Sequence, residues 1–228
     1  MSAPDCVDVW RIDLSRFAAD PADGIALLSD DERSRANRFV RESDRDAFVA
    51  AHSSMRRILS RYAHEPPSAL RLGSTHRGKS ELASHRHVHF NLSHSGAFAA
   101  LAVSLRRHVG IDIERVRSMS PEVVTDSLTP EELRRVETAA NPIEAFYAHW
   151  TMKEAYLKAT GDGLYVPLAT VSVVPDALQQ IGRFLVSGFE FCDGVAGAIA
   201  IEHDVLEPVP VLRVRDWSWS ALREATVA

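Results

Sequence analysis

The chain is poor in the features that staple, anchor or polarise small proteins. Two cysteines, Cys6 and Cys192, lie far apart in 228 residues and in no C-x-x-C pattern. That excludes a disulfide framework or a four-cysteine metal site as the organising device. No stretch approaches the roughly 20 consecutive apolar residues of a membrane-spanning helix. The opening MSAPDCVDVW has no basic region leading into an apolar one, so no export signal is expected, and the protein reads as soluble and cytoplasmic with no membrane partner. Positive charge is not in excess: 26 Lys and Arg against 31 Asp and Glu leave a net charge of −5. A nucleic-acid binder normally shows the opposite balance. Repeats at the level of identity and low-complexity runs are absent. What remains, 46% apolar and 25% charged, is ordinary globular material for one large domain or two small ones.

Periodicity orders that material into a mixed α/β chain. Residues 7–14 predict a strand. Ser29-Asp30-Asp31-Glu32 is a capping box that starts a helix, and a longer helix over residues 44–63 carries Phe48, Ala51, Met55, Leu59 and Tyr62 at helical spacing before Pro66-Pro67. Short strands are expected at 70–73 and 88–92, and stronger ones at 98–104 and 109–116. A second capping box, Thr129-Pro130-Glu131-Glu132, and the start Asn141-Pro142 predict two more helices, the latter running to Thr160 and closed by Gly161. Strands follow around 170–174, 184–191, 195–202 and 211–214. A polar turn at 106–108 divides the chain into residues 1–107 and 108–228.

Two acidic segments stand out. In Val109-Gly110-Ile111-Asp112-Ile113-Glu114, strand alternation points Ile111 and Ile113 one way and both carboxylates the other, about 7 Å apart. Like charges so placed suit a cation between them, or else an ordinary solvated strand face. In the helix of residues 141–160 the apolar stripe runs Ile143, Phe146, Tyr147, Trp150, Leu157, with a gap at Lys153-Glu154. That spacing puts Glu154 on the buried side, with Lys158 one turn on. A carboxylate there needs a partner, which is either an internal ion pair or a bound metal.

Gly110-Ile111-Asp112-Ile113-Glu114 and Trp150-Thr151-Met152-Lys153-Glu154-Ala155-Tyr156-Leu157-Lys158 together resemble the paired signature of 4′-phosphopantetheinyl transferases. Phe90-Asn91-Leu92-Ser93-His94-Ser95 resembles a segment of the larger, surfactin-synthetase-activating type. So does the helical region with Arg38-Phe39, Asp44, Ala47-Phe48, Ala51 and Arg56. Gly78-Lys79 stands at the family's G-K-P, with Ser80 replacing the proline. The short acyl-carrier synthases of this superfamily have about half the chain. The resemblance therefore implies the fused α/β (α+β) form: a pseudo-twofold pair of similar subdomains with the active site in the cleft between them.

It also implies a division of labour. Asp112, Glu114 and Glu154 would hold Mg²⁺, with Mn²⁺ as a substitute. Lys158, His94 and Lys79 would neutralise the phosphates of coenzyme A, with Ser93 beside them. Arg45 and basic residues of the run Arg33, Arg35, Arg38, Arg41 would border the adenine and 3′-phosphate. Glu154, directly or through water, would accept the proton of the carrier serine. The expected product is a holo carrier protein, docked on the segment from Arg115 to Leu128, whose basic and apolar residues suit an acidic helical partner. A monomer is expected. A silent coenzyme A-binding regulator of the same fold and a metal-dependent phosphohydrolase are the competing readings. His85, His87 and His89 alternate as zinc ligands on one strand face would, but three ligands from one short strand are rare in tetrahedral sites, so the stretch reads as an exposed lead-in to a strand. Trp217 and Trp219 read as one face of a closing strand or packing tail.

Overall fold

A computed structural model describes residues 5–19, 21–175, 177–189 and 191–218. The first half contains β1 (Cys6–Asp13), α1 (Pro21–Leu27), α2 (Asp30–Ala36) and α3 (Glu42–Ala63). It continues with the small hairpin β2 (Leu72–Ser74) and β3 (Ser80–Leu82), then β4 (His89–Ser95) and β5 (Phe98–Ser104). The second half contains β6 (Val109–Arg115), α4 (Pro121–Ser127), α5 (Pro130–Thr138), α6 (Pro142–Thr160), β7 (Gln179–Ile181), β8 (Phe184–Gly188) and β9 (Val195–Glu202), and the chain closes with β10 (Val211–Asp216). The two main sheets have orders β10-β1-β5-β4 and β6-β9-β8-β7.

One connectivity occurs twice. A strand leads into a long helix, then two antiparallel strands return, and the last pairs with the first: β1–α3–β4–β5 and β6–α6–β8–β9. This is the pseudo-twofold α/β architecture. Period-2 alternation in each strand builds it. Val7, Val9, Ala100 and Ala102 of one sheet meet Ile111, Ile113, Ile199 and Ile201 of the other, making a core between the sheets. The opposite parity of the first sheet, Trp10, Ile12, Leu101 and Val103, packs on Phe48, Ala51, Met55 and Leu59 of α3. Phe184, Val186, Ala198 and Ala200 receive Met152, Ala155, Leu157 and Ala159 of α6 in the same way. The layers run helix, sheet, sheet, helix.

The helix punctuation follows the local chemistry of the chain. Both capping boxes form, Asn141 caps α6, and Gly161 ends it with φ 78°. The stretch before β4 is the lead-in to a strand that the sequence suggests: His85 and His87 lie at a turn and only His89 is on β4, so the three imidazoles do not share a strand face. Two expectations need correction. Residues 170–174 form no strand: a 3₁₀ turn (Leu168–Thr170) precedes Val171 and Val173, which are buried against α6 while the Val173 N–H donates to the Glu132 carboxylate. Finally, β10 crosses back to pair in parallel with β1 (Cys6↔Val211 to Arg11↔Asp216), so the end of the 108–228 segment completes the first sheet. Trp217, just beyond, packs edge-on against Trp10; Trp219 lies outside the described residues. Among the described residues no helix is long and apolar enough to cross a membrane.

Candidate active site

The cleft is built on a seam between two sheet edges. β4 and β6 are both edge strands, and side chains of β4 bridge them. The Ile111 N–H donates to Asn91 Oδ1 at 2.8 Å, the Ile113 N–H to Ser93 Oγ at 3.3 Å, and the Arg115 N–H to Ser95 Oγ at 3.0 Å. Alternate β4 side chains thus satisfy alternate β6 amides, as buried main-chain donors require. A hydroxyl that has accepted one bond has a single hydrogen to give. Ser93 gives it to Asp112 Oδ1 (2.9 Å) and Ser95 to Glu114 Oε2 (2.7 Å).

The second wall is α6, and Gly110 lets it in. A Cβ on Gly110 would stand 2.1 Å from the Ala155 carbonyl oxygen and 2.3 Å from the Ala159 nitrogen. With no Cβ, the helix backbone lies directly on β6, and the neighbouring residues Glu154 and Lys158 face the acidic strand. Lys158 Nζ donates to Asp112 Oδ1 at 2.5 Å and to Ser93 Oγ at 3.2 Å. Asp112 is 3% exposed, and its Oδ2 is buried without a hydrogen-bond partner among the described residues. Glu114 and Glu154 are half-buried.

Electrostatics tie the three acids together. Burial drives the Asp112 carboxyl above its ordinary pKa, against the Lys158 ammonium and the Ser93 hydroxyl. Burial raises Glu114 too, opposed by the Ser95 hydroxyl and reinforced by the Asp112 charge. Glu154 is raised by burial, then by Asp112 and Glu114, against Lys158. Glu114 and Glu154 feel the charge of Asp112, and Asp112 keeps one buried oxygen without a hydrogen-bond partner among the described residues. Among the described residues no group of three or more His, Cys, Asp or Glu side chains is placed to hold a metal ion, and Lys158 occupies Asp112 Oδ1. In chemistry, though, three carboxylates with a free Asp112 Oδ2 are oxygen donors of the type a hard divalent cation takes.

Across the seam lies a cationic wall. His94 sits on the opposite face of β4 from Ser93, open to solvent yet crowded by neighbouring atoms; burial and then the charges of His52, Lys158 and Arg35 hold its imidazole below its ordinary pKa. His52 stacks on Phe48 (ring centroids 4.0 Å apart), and its Nδ1–H donates to Glu32 at 2.8 Å. The Arg35 guanidinium covers the same Phe48 ring at 5.4 Å. Arg45 lies half-buried two turns before His52 on α3. Arg33 is tied locally to the Leu28 carbonyl and to Asp30.

The structure thus gathers Ser93, His94, Asp112, Glu114, Glu154 and Lys158. It treats Lys79 differently. The Lys79 ammonium donates to the carbonyls of Val109 (3.0 Å) and Ala159 (2.8 Å), bridging the start of β6 and the end of α6, and burial lowers its pKa to about 8. The apolar stripe on α6 is also corrected. Ile143 is exposed, and the side chain filling the gap is Lys153, 0% exposed and paired with Glu132 at 2.5 Å. Glu154 turns aside into the cleft. Sequence reasoning missed Ser95, His52 with Glu32, and the packing role of Gly110. The N-x-S-x-S alternation, matching Ile111, Ile113 and Arg115 in parity, was the available signal for Ser95.

Comparisons with known proteins match both halves of the chain. A profile described as the 4′-phosphopantetheinyl transferase superfamily matches residues 108–201, and one described as 4′-phosphopantetheinyl transferase, N-terminal, matches residues 18–106. The chain is similar to the 4′-phosphopantetheinyl transferase HetI of Nostoc sp., 33% identical over 208 residues, covering 86% of this chain and 88% of that one. It is 31% identical over 205 residues to a phosphopantetheinyl transferase of Thraustochytrium sp., covering 81% and 71%. It is 28% identical over 161 residues to the 4′-phosphopantetheinyl transferase Sfp of Bacillus subtilis, covering 70% of each.

Proposed function

The chain belongs to the 4′-phosphopantetheinyl transferase superfamily, and from that premise we propose that it moves the phosphopantetheine arm of coenzyme A onto a serine of an apo carrier protein, releasing adenosine 3′,5′-bisphosphate. The observation that carries this reading is the meeting of Asp112, Glu114 and Glu154 with Lys158 at a cleft whose other wall holds His94 and Arg35.

Asp112, Glu114 and Glu154 would hold Mg²⁺, or Mn²⁺ in its place. Once bound, the cation neutralises charge that develops on the pyrophosphate. The chain's own groups do the rest. Lys158, beside Asp112, and His94 and Arg35, across the seam, orient the pyrophosphate. Glu154, whose pKa burial and its acidic neighbours raise, takes the proton of the carrier serine as its oxygen attacks the β-phosphorus and the bond to adenosine 3′,5′-bisphosphate breaks. The committed bonds of Ser93 suit a role in holding Asp112 more than one as a free ligand contact.

The carrier would dock on residues 115–128. Arg115 and Arg117 are exposed there, Met119 is half-buried just before α4, and Val123 and Val124 are half-buried on it. Leu128 is buried in the core under α4 and offers no surface. The chain is read as a monomer, and the unpaired Cys6 and Cys192 suit a reducing cytoplasm. The test is to mix protein, apo carrier, coenzyme A and Mg²⁺ and weigh the carrier. A phosphopantetheine mass increase on its serine, lost on chelation and in Asp112→Ala or Glu154→Ala, is expected. Coenzyme A breakdown with an unmodified carrier would instead mark a phosphohydrolase, and binding without turnover a regulator.

A further inference from the structure

The three rungs of the β4–β6 seam are chemically unequal. Asn91 only accepts the Ile111 N–H, and its rung touches no carboxylate in the bonds that define the seam. Ser93 shares Asp112 with Lys158, so that short, 3%-exposed side chain is held twice. Glu114 is longer and half-buried, with one more rotatable bond to fix. Ser95 Oγ is the hydroxyl that restrains it, at 2.7 Å from Oε2. Because Ser95 Oγ already accepts the Arg115 N–H at 3.0 Å, its one hydrogen is directed at the carboxylate. An ordered hydroxyl is thereby aimed from the first sheet onto an acid of the second.

We propose that Ser95 is a positioning residue for the cation site, turning the Glu114 carboxylate by its Oε2 and leaving Oε1 to the cation. The proposal rests on the reading of Asp112, Glu114 and Glu154 as cation ligands. Freezing a glutamate side chain costs rotamer freedom, and outer hydrogen bonds of this kind commonly change metal affinity about 10–100-fold. Ser95 meets that cost before the cation arrives, and it does so only while the two sheets are in register. The site is therefore complete only when both halves are docked.

The experiment measures Mn²⁺ binding to the full chain by the electron paramagnetic resonance of free Mn²⁺, with thermal unfolding alongside. The proteins are the unchanged chain, Ser95→Ala, Ser95→Thr and Asn91→Ala. Ser95→Ala should bind Mn²⁺ about 10–100-fold more weakly and Ser95→Thr should recover most of the loss. Asn91→Ala breaks a rung with no carboxylate contact, so it should melt earlier than the unchanged chain while binding Mn²⁺ within about threefold of it. Equal Mn²⁺ affinity in Ser95→Ala and the unchanged chain, with both alanine variants melting early, would reduce Ser95 to a seam residue and overturn the proposal. Lack of saturable Mn²⁺ binding by the unchanged chain would overturn the cation reading itself, a separate result.

Discussion

Glu32 shows how much one side chain can organise. It closes the capping box of α2, accepting the Ser29 N–H, and from there reaches His52 Nδ1 at 2.8 Å and Arg56 Nε at 2.7 Å on α3. Burial alone would raise its pKa, but those hydrogen bonds bring it from an ordinary 4.5 to about 2. A carboxyl whose folded pKa is depressed contributes stability that is full above pH 4.5 and drains away as the pH falls towards 2. The unchanged chain should therefore exceed Glu32→Gln in unfolding free energy by about 3 kcal/mol at pH 7, and by roughly 2 kcal/mol less at pH 3. Urea titrations at the two pH values measure this. A difference that stays constant with pH would show that Glu32 does not titrate between the folded and unfolded states as described. His52, held by the same acid, supports the wall that carries His94 and Arg35 from behind.

At the scale of elements, α6 is placed by two contacts that its own sequence does not advertise. One is Gly110 on β6. Gly110→Ala would drive a methyl into the helix backbone at Ala155 and Ala159, with a cost of about 1–3 kcal/mol. The larger effect should be on function, because a displaced helix carries Glu154 and Lys158 away from Asp112. Transfer activity should fall more than about 100-fold while the variant remains folded by circular dichroism; activity near that of the unchanged chain would mean α6 does not need this contact. The other is Lys153. Its ammonium donates to Glu132 (2.5 Å), the Ser127 carbonyl (2.8 Å) and the Leu168 carbonyl (3.2 Å), clamping α6 to α5 and to the loops around it. Lys153→Met strands the Glu132 charge in the interior, which typically costs about 3–5 kcal/mol. Melting should drop by roughly 10 °C, and adding Glu132→Gln should restore part of it; an unchanged melting temperature would remove the clamp from the account.

Over the whole molecule, the two halves are joined by the apolar core between the sheets, the β4–β6 seam, β10, which returns from the second half to the first sheet, and polar contacts such as Lys79 on the Val109 and Ala159 carbonyls. Arg107, at the turn between halves, adds bonds to Asp5, Glu207 and the Glu202 carbonyl. So braced, the cleft opens beside Arg115 and Arg117. Arg117 also counters the raised pKa of Glu114, which sets it at the mouth of the acidic site. Arg115→Glu with Arg117→Glu should raise the KM for an acidic carrier about tenfold or more and leave that for coenzyme A unchanged. Equal shifts in both KM values would point to a distorted site, and no shift would move the docking surface elsewhere.

Much of this was readable from the amino-acid order alone, and the division follows the range of the forces involved. Strand parity put Asp112 and Glu114 on one face, and both capping boxes, the Asn141 cap and the Gly161 stop fell where short-range chemistry required. Each of these depends on residues a few positions apart. Tertiary structure decided what depends on residues dozens of positions apart. It buried Lys153 instead of Glu154, because Glu132 from another helix was there to receive it, and it committed Lys79 to two carbonyls at the junction of β6 and α6. It brought the serines of β4 onto the carboxylates of β6. The acidic trio was thus determined by the sequence as a set of residues, and became a site only when two edge strands and a helix met around it.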